Sequence, residues 1–253
     1  MSLFKNIIYY ITVPKCVCCG EKLNIDDLAL CTKCREEYND HLKRNCSVCA
    51  KPLYECSCPN EYLDAHYVHK HIKVYRYKPG FETPSNKLIY SLKRENRHDV
   101  LQMLANELAS SITTSIKTPT DYIFTSVPRR KASRNKYGID HAKELSRATA
   151  KILGAKYEYL LLSKAKKLQK KTKSTEERKH NAVYSLKRKN IDLSGKKIIL
   201  IDDIVTTGAS LGACAIQLKI AGASKIIGAS IAITYKDSYT PFDSSDRFRP
   251  KCK

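Results

Sequence analysis

The sequence predicts an α/β protein in which a parallel sheet flanked by helices follows a small cysteine-rich N-terminal module. Two observations carry this prediction. Four apolar residues, Ile198 to Ile201, run into the adjacent acids Asp202 and Asp203, and a short Thr/Gly/Ser loop and a helix follow. Such an apolar run is typical of a buried parallel strand. Upstream, eight cysteines form four closely spaced pairs, a pattern that is typical of metal binding.

The loop after the two acids is suited to a phosphate group. Its hydroxyl-bearing and glycine residues are Thr206, Thr207, Gly208 and Ser210. Helix N-termini favour anions, because their N–H groups are unpaired and the helix dipole is positive there. Open α/β sheets bind ligands at the carboxyl ends of their strands, where Asp202 and Asp203 stand. A strand that ends in solvated acids and an ordinary turn is the alternative interpretation.

Apolar spacing predicts a helix directly after this loop. The residues that recur at helical spacing and form one core-facing stripe are Leu211, Cys214, Ala215 and Leu218. Gly222 stands where a helix C-terminal glycine is expected. Cys214 is therefore predicted to be a core residue rather than a nucleophile. The run from Ile226 to Ile233 is predicted to be the next parallel strand, which completes a β–α–β unit.

The cysteine pairs predict structural zinc. They are Cys16/Cys19, Cys31/Cys34, Cys46/Cys49 and Cys56/Cys58. Two closely spaced pairs can close a four-sulfur site. We favour the first two pairs as one zinc site and the last two as a second, with an interleaved pairing left open. Zinc is expected to organise residues 14–60, because so short a segment buries little apolar area. A disulfide-rich secreted module is the alternative, but no secretion signal is evident.

Net charge points to a polyanionic partner. The formal net charge is +21, and residues 121–197 hold 22 Lys/Arg against 7 Asp/Glu. Six lysines fall between Lys164 and Lys173. Such a surplus attracts nucleic acid or a pyrophosphate-bearing substrate, and a solvated lysine-rich surface is the alternative. No apolar run approaches the ~20 residues of a membrane span.

The middle of the chain is predicted to add further elements. A β-like stretch at residues 74–77 is followed by helices near residues 88–92 and 99–111, and then by an apolar strand that starts at Tyr122. We expect two domains: residues 1–62 as the cysteine-rich module and residues 63–253 as the α/β domain.

The block from Ile198 to Ser210 resembles the phosphoribosyl pyrophosphate (PRPP) motif of type I phosphoribosyltransferases. The resemblance implies that Asp202 and Asp203 hold the ribose hydroxyls, with Asp203 near the reacting carbon. It also implies that the Thr/Gly/Ser loop cradles the 5′-phosphate and that Mg²⁺ accompanies PRPP. Val127-Pro128-Arg129 corresponds to the pyrophosphate loop, which makes Arg129 the first candidate for a pyrophosphate contact and Arg130 the second. A surface arginine pair is the alternative.

The whole pattern resembles the ComF family of competence proteins, in which a zinc module precedes a phosphoribosyltransferase domain. The motifs that match are Ile89-Tyr-Ser-Leu92-Lys93, Val127-Pro128, and Gln169, Arg178 and Asn181 ahead of the PRPP motif. Where the family has an R-G-F-N-Q loop, this sequence has Tyr137-Gly138-Ile139-Asp140-His141 instead. Basic residues 131–142 resemble the loop that closes over PRPP.

This resemblance implies a role in natural transformation. Family members handle incoming single-stranded DNA in the cytoplasm, near the inner face of the membrane, with a helicase and a DNA-processing protein. Two alternatives stay open: a metabolic phosphoribosyltransferase acting on a nucleobase or amine, and a non-catalytic PRPP-responsive regulator. Tyrosines that could stack on bases are Tyr75, Tyr77, Tyr137, Tyr157, Tyr159 and Tyr184, with burial in the core as the commoner explanation.

Overall fold

A computed structural model describes residues 14–43, 45–46, 48–78, 80–129, 138–164 and 183–234. Its strands, in chain order, are β1 (His71–Arg76), β2 (Tyr122–Ser126), β3 (Lys156–Tyr157), β4 (Leu161–Ser163), β5 (Tyr184–Leu186), β6 (Lys197–Val205) and β7 (Lys225–Ile233). Five of them form a sheet in the order β1-β7-β6-β2-β3. All four pairings in this sheet are parallel, so the predicted parallel sheet is confirmed. Strands β4 and β5 form a separate antiparallel pair.

Six helices accompany the sheet in the described residues. They are α1 (Thr32–Leu42), α2 (Glu61–Asp64), α3 (Pro84–Arg94), α4 (His98–Ser115), α5 (His141–Ile152) and α6 (Ala209–Ile220). Thr83 caps α3 by accepting a hydrogen bond from the N–H of Asn86, and Pro84 stands at its first position. Among these helices, none combines the length and apolar character that a membrane crossing requires.

The core has two parts, one on each face of the sheet. Alternate residues of β6 point to opposite faces because successive side chains of a strand alternate. Ile199 and Ile201 belong to one part, which also holds residues of α4. Ile198 and Leu200 belong to the other, which holds the fully buried stripe of α6. The predicted stripe, including Cys214 as a core residue, is confirmed.

Strand β6 is longer than the sequence analysis implied. Ile204 and Val205 pair with Ala232 and Ile233 of β7, and the N–H of Thr234 donates to the carbonyl of Val205. The two acids therefore lie within the paired part of β6 rather than beyond its end. Because β7 continues to Ile233, the backbone of β6 stays paired and extended past Asp202 and Asp203.

Tyr75 is a core residue and cannot serve as a stacking platform. It is 1% exposed, meets Tyr38 edge-to-face with ring centroids 5.9 Å apart, and donates its hydroxyl to the carbonyl of Ser85 at 3.2 Å. Several residues that the sequence singled out lie outside the described residues: Arg130, Tyr137, Gln169, Arg178, Asn181, the lysine-rich segment from 165 to 173, and the tail 236–253 with Cys252.

Candidate functional site

The two acids at the end of β6 are held by their own backbone and by one lysine. Asp202 accepts a hydrogen bond from the N–H of Asp203 at 2.9 Å, and Asp203 accepts one from the N–H of Ile204 at 2.7 Å. Lys93, the last residue of the Ile89–Lys93 motif, lies 3.2 Å from the second Oδ of Asp203. Helix α3 thus places the ammonium group of Lys93 beside Asp203.

The pair is electrostatically asymmetric. Burial and the neighbouring charge of Asp203 raise the pKa of Asp202 well above its usual range. Burial also acts on Asp203, but the Lys93 ammonium and the N–H of Ile204 outweigh it and lower its pKa. Two close carboxylates in a buried site resist double ionisation. Asp203 is therefore the more readily ionised member of the pair.

Arg129, just beyond β2, is fixed at its backbone and its side chain. Its N–H donates to Asp140 at 3.1 Å. Its Nη1 donates to the carbonyl of Ile139 at 3.2 Å and lies 2.9 Å from Nδ1 of His141. A guanidinium has no acceptor, so Nδ1 of His141 must accept this hydrogen bond. The two described ends of the connection between β2 and α5 are thereby joined.

His141 links Arg129 to a third element. Its Nε2 lies 2.9 Å from Oδ1 of Asn96, between α3 and α4. With Nδ1 accepting, Nε2 carries the proton and donates to Asn96. Burial and the charge of Arg129 lower the pKa of His141, which keeps the ring neutral. The sequence analysis missed this role, although His141 falls in the loop where the family pattern has glutamine.

The Thr/Gly/Ser loop, residues 206–210 and from here the phosphate loop, turns the chain from β6 into α6. Gly208 is the N-cap of α6 and has a φ of 83°, in the left-handed region that favours glycine. The Thr207 hydroxyl accepts a hydrogen bond from the N–H of Ala209 at 3.3 Å. No acidic side chain stands in the first turn of α6, so the positive end of its dipole is available to an anion.

These elements enclose a cleft of about 250 Å³ at the carboxyl end of β6. Its lining residues are Val127, Pro128, Arg129, Asp140, His141, Ala142, Tyr184, Asp202, Asp203 and Ser210. Four of the predicted site residues, Arg129, Asp202, Asp203 and Ser210, therefore meet in one cavity. Thr206, Thr207 and Gly208 are not among the lining residues and lie in the adjoining loop. Tyr184, for which the sequence offers base stacking or burial in the core, lines the cleft.

A larger cleft of about 590 Å³ lies at the opposite end of the sheet. It is bordered by Asp121 and Tyr122 at the start of β2 and by Lys196 just before β6. Parallel sheets bind ligands at the carboxyl ends of their strands. The smaller cleft, which holds the twin acids, is therefore the candidate site.

The cysteines form two four-sulfur groups. The first cluster is Cys16, Cys19, Cys31 and Cys34, and the second cluster is Cys46, Cys49, Cys56 and Cys58. Within each cluster the ligand atoms all lie within 4.8 Å of one another, so each could hold one metal ion such as zinc. The favoured pairing of neighbours agrees with this grouping. Cys18 is buried and is not among the four members of either group.

The sulfur atoms of the first cluster differ in their settings, since burial raises the pKa of Cys34 and of Cys19, whereas that of Cys16 is lowered. Sγ of Cys19 and Sγ of Cys31 are 3.6 Å apart. Burial raises the pKa of Cys16, but hydrogen bonds from the N–H groups of Cys19, Cys31 and Cys18 outweigh it and bring the pKa to about 7. Four sulfurs around one point are the donor set of structural zinc, and the thiolate is the form that binds metal.

In the second cluster, burial of Cys46 is likewise outweighed, and N–H groups of Cys49 and Val48 bring its pKa to about 7. The N–H of Val48 points to Sγ of Cys46 at 3.4 Å, and the N–H of Cys58 points to Sγ of Cys56 at the same distance. These N–H groups favour the thiolate of Cys46, whereas burial raises the pKa of Cys56 to about 12 and also raises that of Cys58.

Comparisons with known proteins place this geometry in context. Residues 141–251 match the family model of the phosphoribosyl transferase domain. The chain is 24% identical over 229 residues to competence protein ComFC of Streptococcus pneumoniae (strain ATCC BAA-255 / R6), and the match covers 84% of this chain and 96% of that protein.

Among solved structures, a purine phosphoribosyltransferase from Pyrococcus horikoshii Ot3 is 18% identical with a TM-score of 0.35 and covers 54% of this chain and 81% of its own. The allosteric regulatory enzyme of purine biosynthesis is 18% identical with a TM-score of 0.34 over 52% of this chain, which spans 26% of that enzyme's length. The chain is thus similar to the phosphoribosyl transferase domain over residues 141–251 and to ComFC over most of its length.

Proposed function

We propose that this protein binds PRPP with Mg²⁺ in the cleft at the carboxyl end of β6. One observation carries the proposal. Arg129, just beyond β2, lines one cavity together with Asp203 and Ser210, which lie on either side of the turn from β6 into α6. PRPP presents a ribose diol between a monophosphate and a pyrophosphate, and this cavity offers carboxylates between a guanidinium and a helix N-terminus.

Each group has a role that follows from its chemistry. Asp202 and Asp203 accept hydrogen bonds from the ribose hydroxyls, and the ionised Asp203 stabilises positive charge that develops at the sugar carbon. Arg129 contacts the pyrophosphate, with Arg130 as a second candidate. The phosphate loop, through Thr206, Thr207, Gly208 and Ser210, holds the 5′-phosphate. Mg²⁺ would be held mainly by the ligand's own oxygens.

We also propose that each cysteine cluster holds one structural zinc ion. Four thiolates satisfy zinc's preference for a closed tetrahedral site. Under this proposal residues 1–62 form the zinc module and residues 63–253 the phosphoribosyltransferase-like domain. Metal binding then supplies folding free energy to the module.

The proposed biological role is the handling of incoming single-stranded DNA in natural transformation. The similarity to ComFC supports a competence-related protein. The surplus of 15 positive charges over residues 121–197 favours a polyanionic partner. A DNA-uptake helicase and a DNA-processing protein are the proposed protein partners, and the cytoplasm, near the inner face of the membrane, is the proposed location.

Calorimetric titration of PRPP·Mg²⁺ tests the ligand. We expect the double substitution Asp202→Asn/Asp203→Asn to weaken binding about 100-fold, because charge-assisted hydrogen bonds to the ribose are lost. Glu36→Gln, an exposed carboxylate on α1, is the matched control and should bind as the wild type does. Equal binding by the double variant would refute the assignment of the ribose site.

Two assays separate the remaining functions. Pyrophosphate release, measured with a panel of nucleobases and amines, tests for a metabolic transferase, and silence across the panel favours a PRPP-binding protein without turnover. The affinity for single-stranded DNA should fall steeply between about 50 and 200 mM salt, because phosphate contacts release counterions. A flat salt dependence would argue against a DNA-binding role.

A further inference from the structure

The phosphate loop is supported from behind by the segment that leaves the second cluster. Asn60, two residues after Cys58, caps α2 by accepting a hydrogen bond from the N–H of Leu63 at 2.8 Å. The same side chain donates from Nδ2 to the carbonyl of Thr207 at 3.4 Å. One amide thus starts α2 and holds the backbone of the phosphate loop.

Side chains of α2 fill the space beneath the loop. A Cβ atom on Gly208 would lie 2.9 Å from Cδ2 of Leu63, and a Cβ atom on Gly212 would lie 2.8 Å from Cε1 of Tyr62. Leu63 is fully buried, and the ring of Tyr62 stacks on His66 with centroids 4.0 Å apart. Leu63 thus occupies the space next to Gly208 in the phosphate loop, and Tyr62 occupies the space next to Gly212 in α6, directly after the loop.

The segment is also anchored at its other end. The carbonyl of Cys58 accepts a hydrogen bond from Nζ of the buried Lys73 at 2.5 Å, and the carbonyl of Ser57 accepts one from the N–H of His71 at 2.9 Å. Both donors stand on β1. A metal bound by the second cluster would fix Cys56 and Cys58, and the chain then reaches Asn60 in two residues.

We propose that Asn60, Tyr62 and Leu63 are positioning residues for the phosphate loop, and that metal in the second cluster holds them in place. The affinity for the 5′-phosphate then depends on this cluster. This inference rests on the proposed PRPP function. Small displacements of a preorganised loop weaken its contacts with a bound group even when each contacting residue is unchanged.

Three variants test the positioning role. Asn60→Ser keeps a side-chain cap but removes the donor to Thr207, and we expect about threefold weaker PRPP binding. Leu63→Ala should weaken binding about tenfold, whereas Leu63→Met should restore it because volume is conserved. Asn106→Ser, at an exposed position of α4, is the control. All four should retain two zinc ions per chain and cooperative unfolding.

Hydrogen exchange at residues 206–212 gives a readout that needs no ligand. We expect faster exchange there in Leu63→Ala and in Cys56→Ser, which should lose one zinc ion and bind PRPP more weakly. Unchanged exchange and unchanged PRPP affinity in Leu63→Ala would overturn the inference. If wild-type protein binds no PRPP, the proposed function fails, while the exchange data still decide whether α2 holds the loop.

Discussion

The two cysteine clusters have the same donor atoms but lie on opposite faces of the sheet. Members of the first cluster, Cys16 and Cys34, pack in the part of the core that contains α4. Members of the second, Cys46 and Cys56, pack in the part that contains Leu63 and α6. Two chemically equivalent clusters therefore contact different parts of the core, and metal in each would stabilise a different face of the sheet.

The candidate cleft lies where these two faces meet at the end of β6. Lys93 and His141 belong to α3 and α5, which contribute buried apolar residues to the first part of the core, and Arg129 bonds to His141. Ser210 lies in α6, which contributes buried apolar residues to the second part. The first cluster is thus on the side of the proposed pyrophosphate contact, and the second is on the side of the proposed 5′-phosphate contact.

Removal of both metals should unfold the module. We expect purified protein to carry two zinc ions, and strong chelation to abolish protection from hydrogen exchange over residues 14–60, because metal binding supplies the folding free energy of small metal modules. Metal analysis and exchange before and after chelation measure this. Protein that is fully folded without metal would contradict the role of both clusters.

Loss of one cluster at a time should separate the faces. Cys34→Ser, in the first cluster, should lower the free energy of unfolding and leave exchange at residues 206–212 close to that of the wild type. By contrast, Cys56→Ser in the second cluster is expected to speed exchange at these residues. Equal loop opening from either cluster would remove the distinction between the faces.

Substitution of two glycines tests how rigid the contact between Gly208 and Leu63 on the second face is. Gly208 and Gly195 both have a positive φ, but a Cβ atom on Gly195 meets nothing within 4 Å. We expect Gly195→Ala to cost about 1 kcal/mol of stability from backbone strain alone, and Gly208→Ala to cost about 3 kcal/mol because Leu63 must also move. Chemical denaturation measures both. Equal costs would show that the contact with Leu63 is soft.

A fall in pH tests the contact between Arg129 and His141 on the first face. The lowered pKa of His141 keeps its ring neutral, so this contact contributes stability above the usual histidine pKa of about 6.5 and loses it as pH falls further. An imidazolium cannot accept from Arg129. Compared with His141→Gln, which can still accept and donate, wild-type PRPP affinity should fall about fivefold from pH 7.5 to 5.5. If the ratio of the wild-type affinity to the His141→Gln affinity stays constant over this pH range, protonation of His141 does not control PRPP binding.

Much of the fold could be predicted because its signals are local. Strand β6 contains the apolar run Ile198 to Ile201, and the stripe of α6 follows from spacing alone, so both elements were predicted, although β6 extends past the two acids to Val205. The pairing of the cysteines was left open because spacing permits two arrangements, and the three-dimensional grouping favours neighbours. Helix α2 was missed, since four residues give too short a pattern to recognise.

The site was predicted where its residues follow a strand and missed where they arrive from distant elements. Asp202, Asp203 and Arg129 stand at strand ends, which identifies them. Lys93 meets Asp203, and His141 reaches the cleft, only because α3 packs on α1 and α4 and because α5 packs against the sheet. Their signal was their place in two family motifs, which gave no direction for their side chains.

A crystal structure with PRPP·Mg²⁺ bound tests the central claim most directly. The account predicts the ribose hydroxyls on Asp202 and Asp203, the pyrophosphate beside Arg129 and the 5′-phosphate at the start of α6. Saturating PRPP that leaves this cleft empty, or that binds in the larger cleft at the opposite end of the sheet, would contradict it.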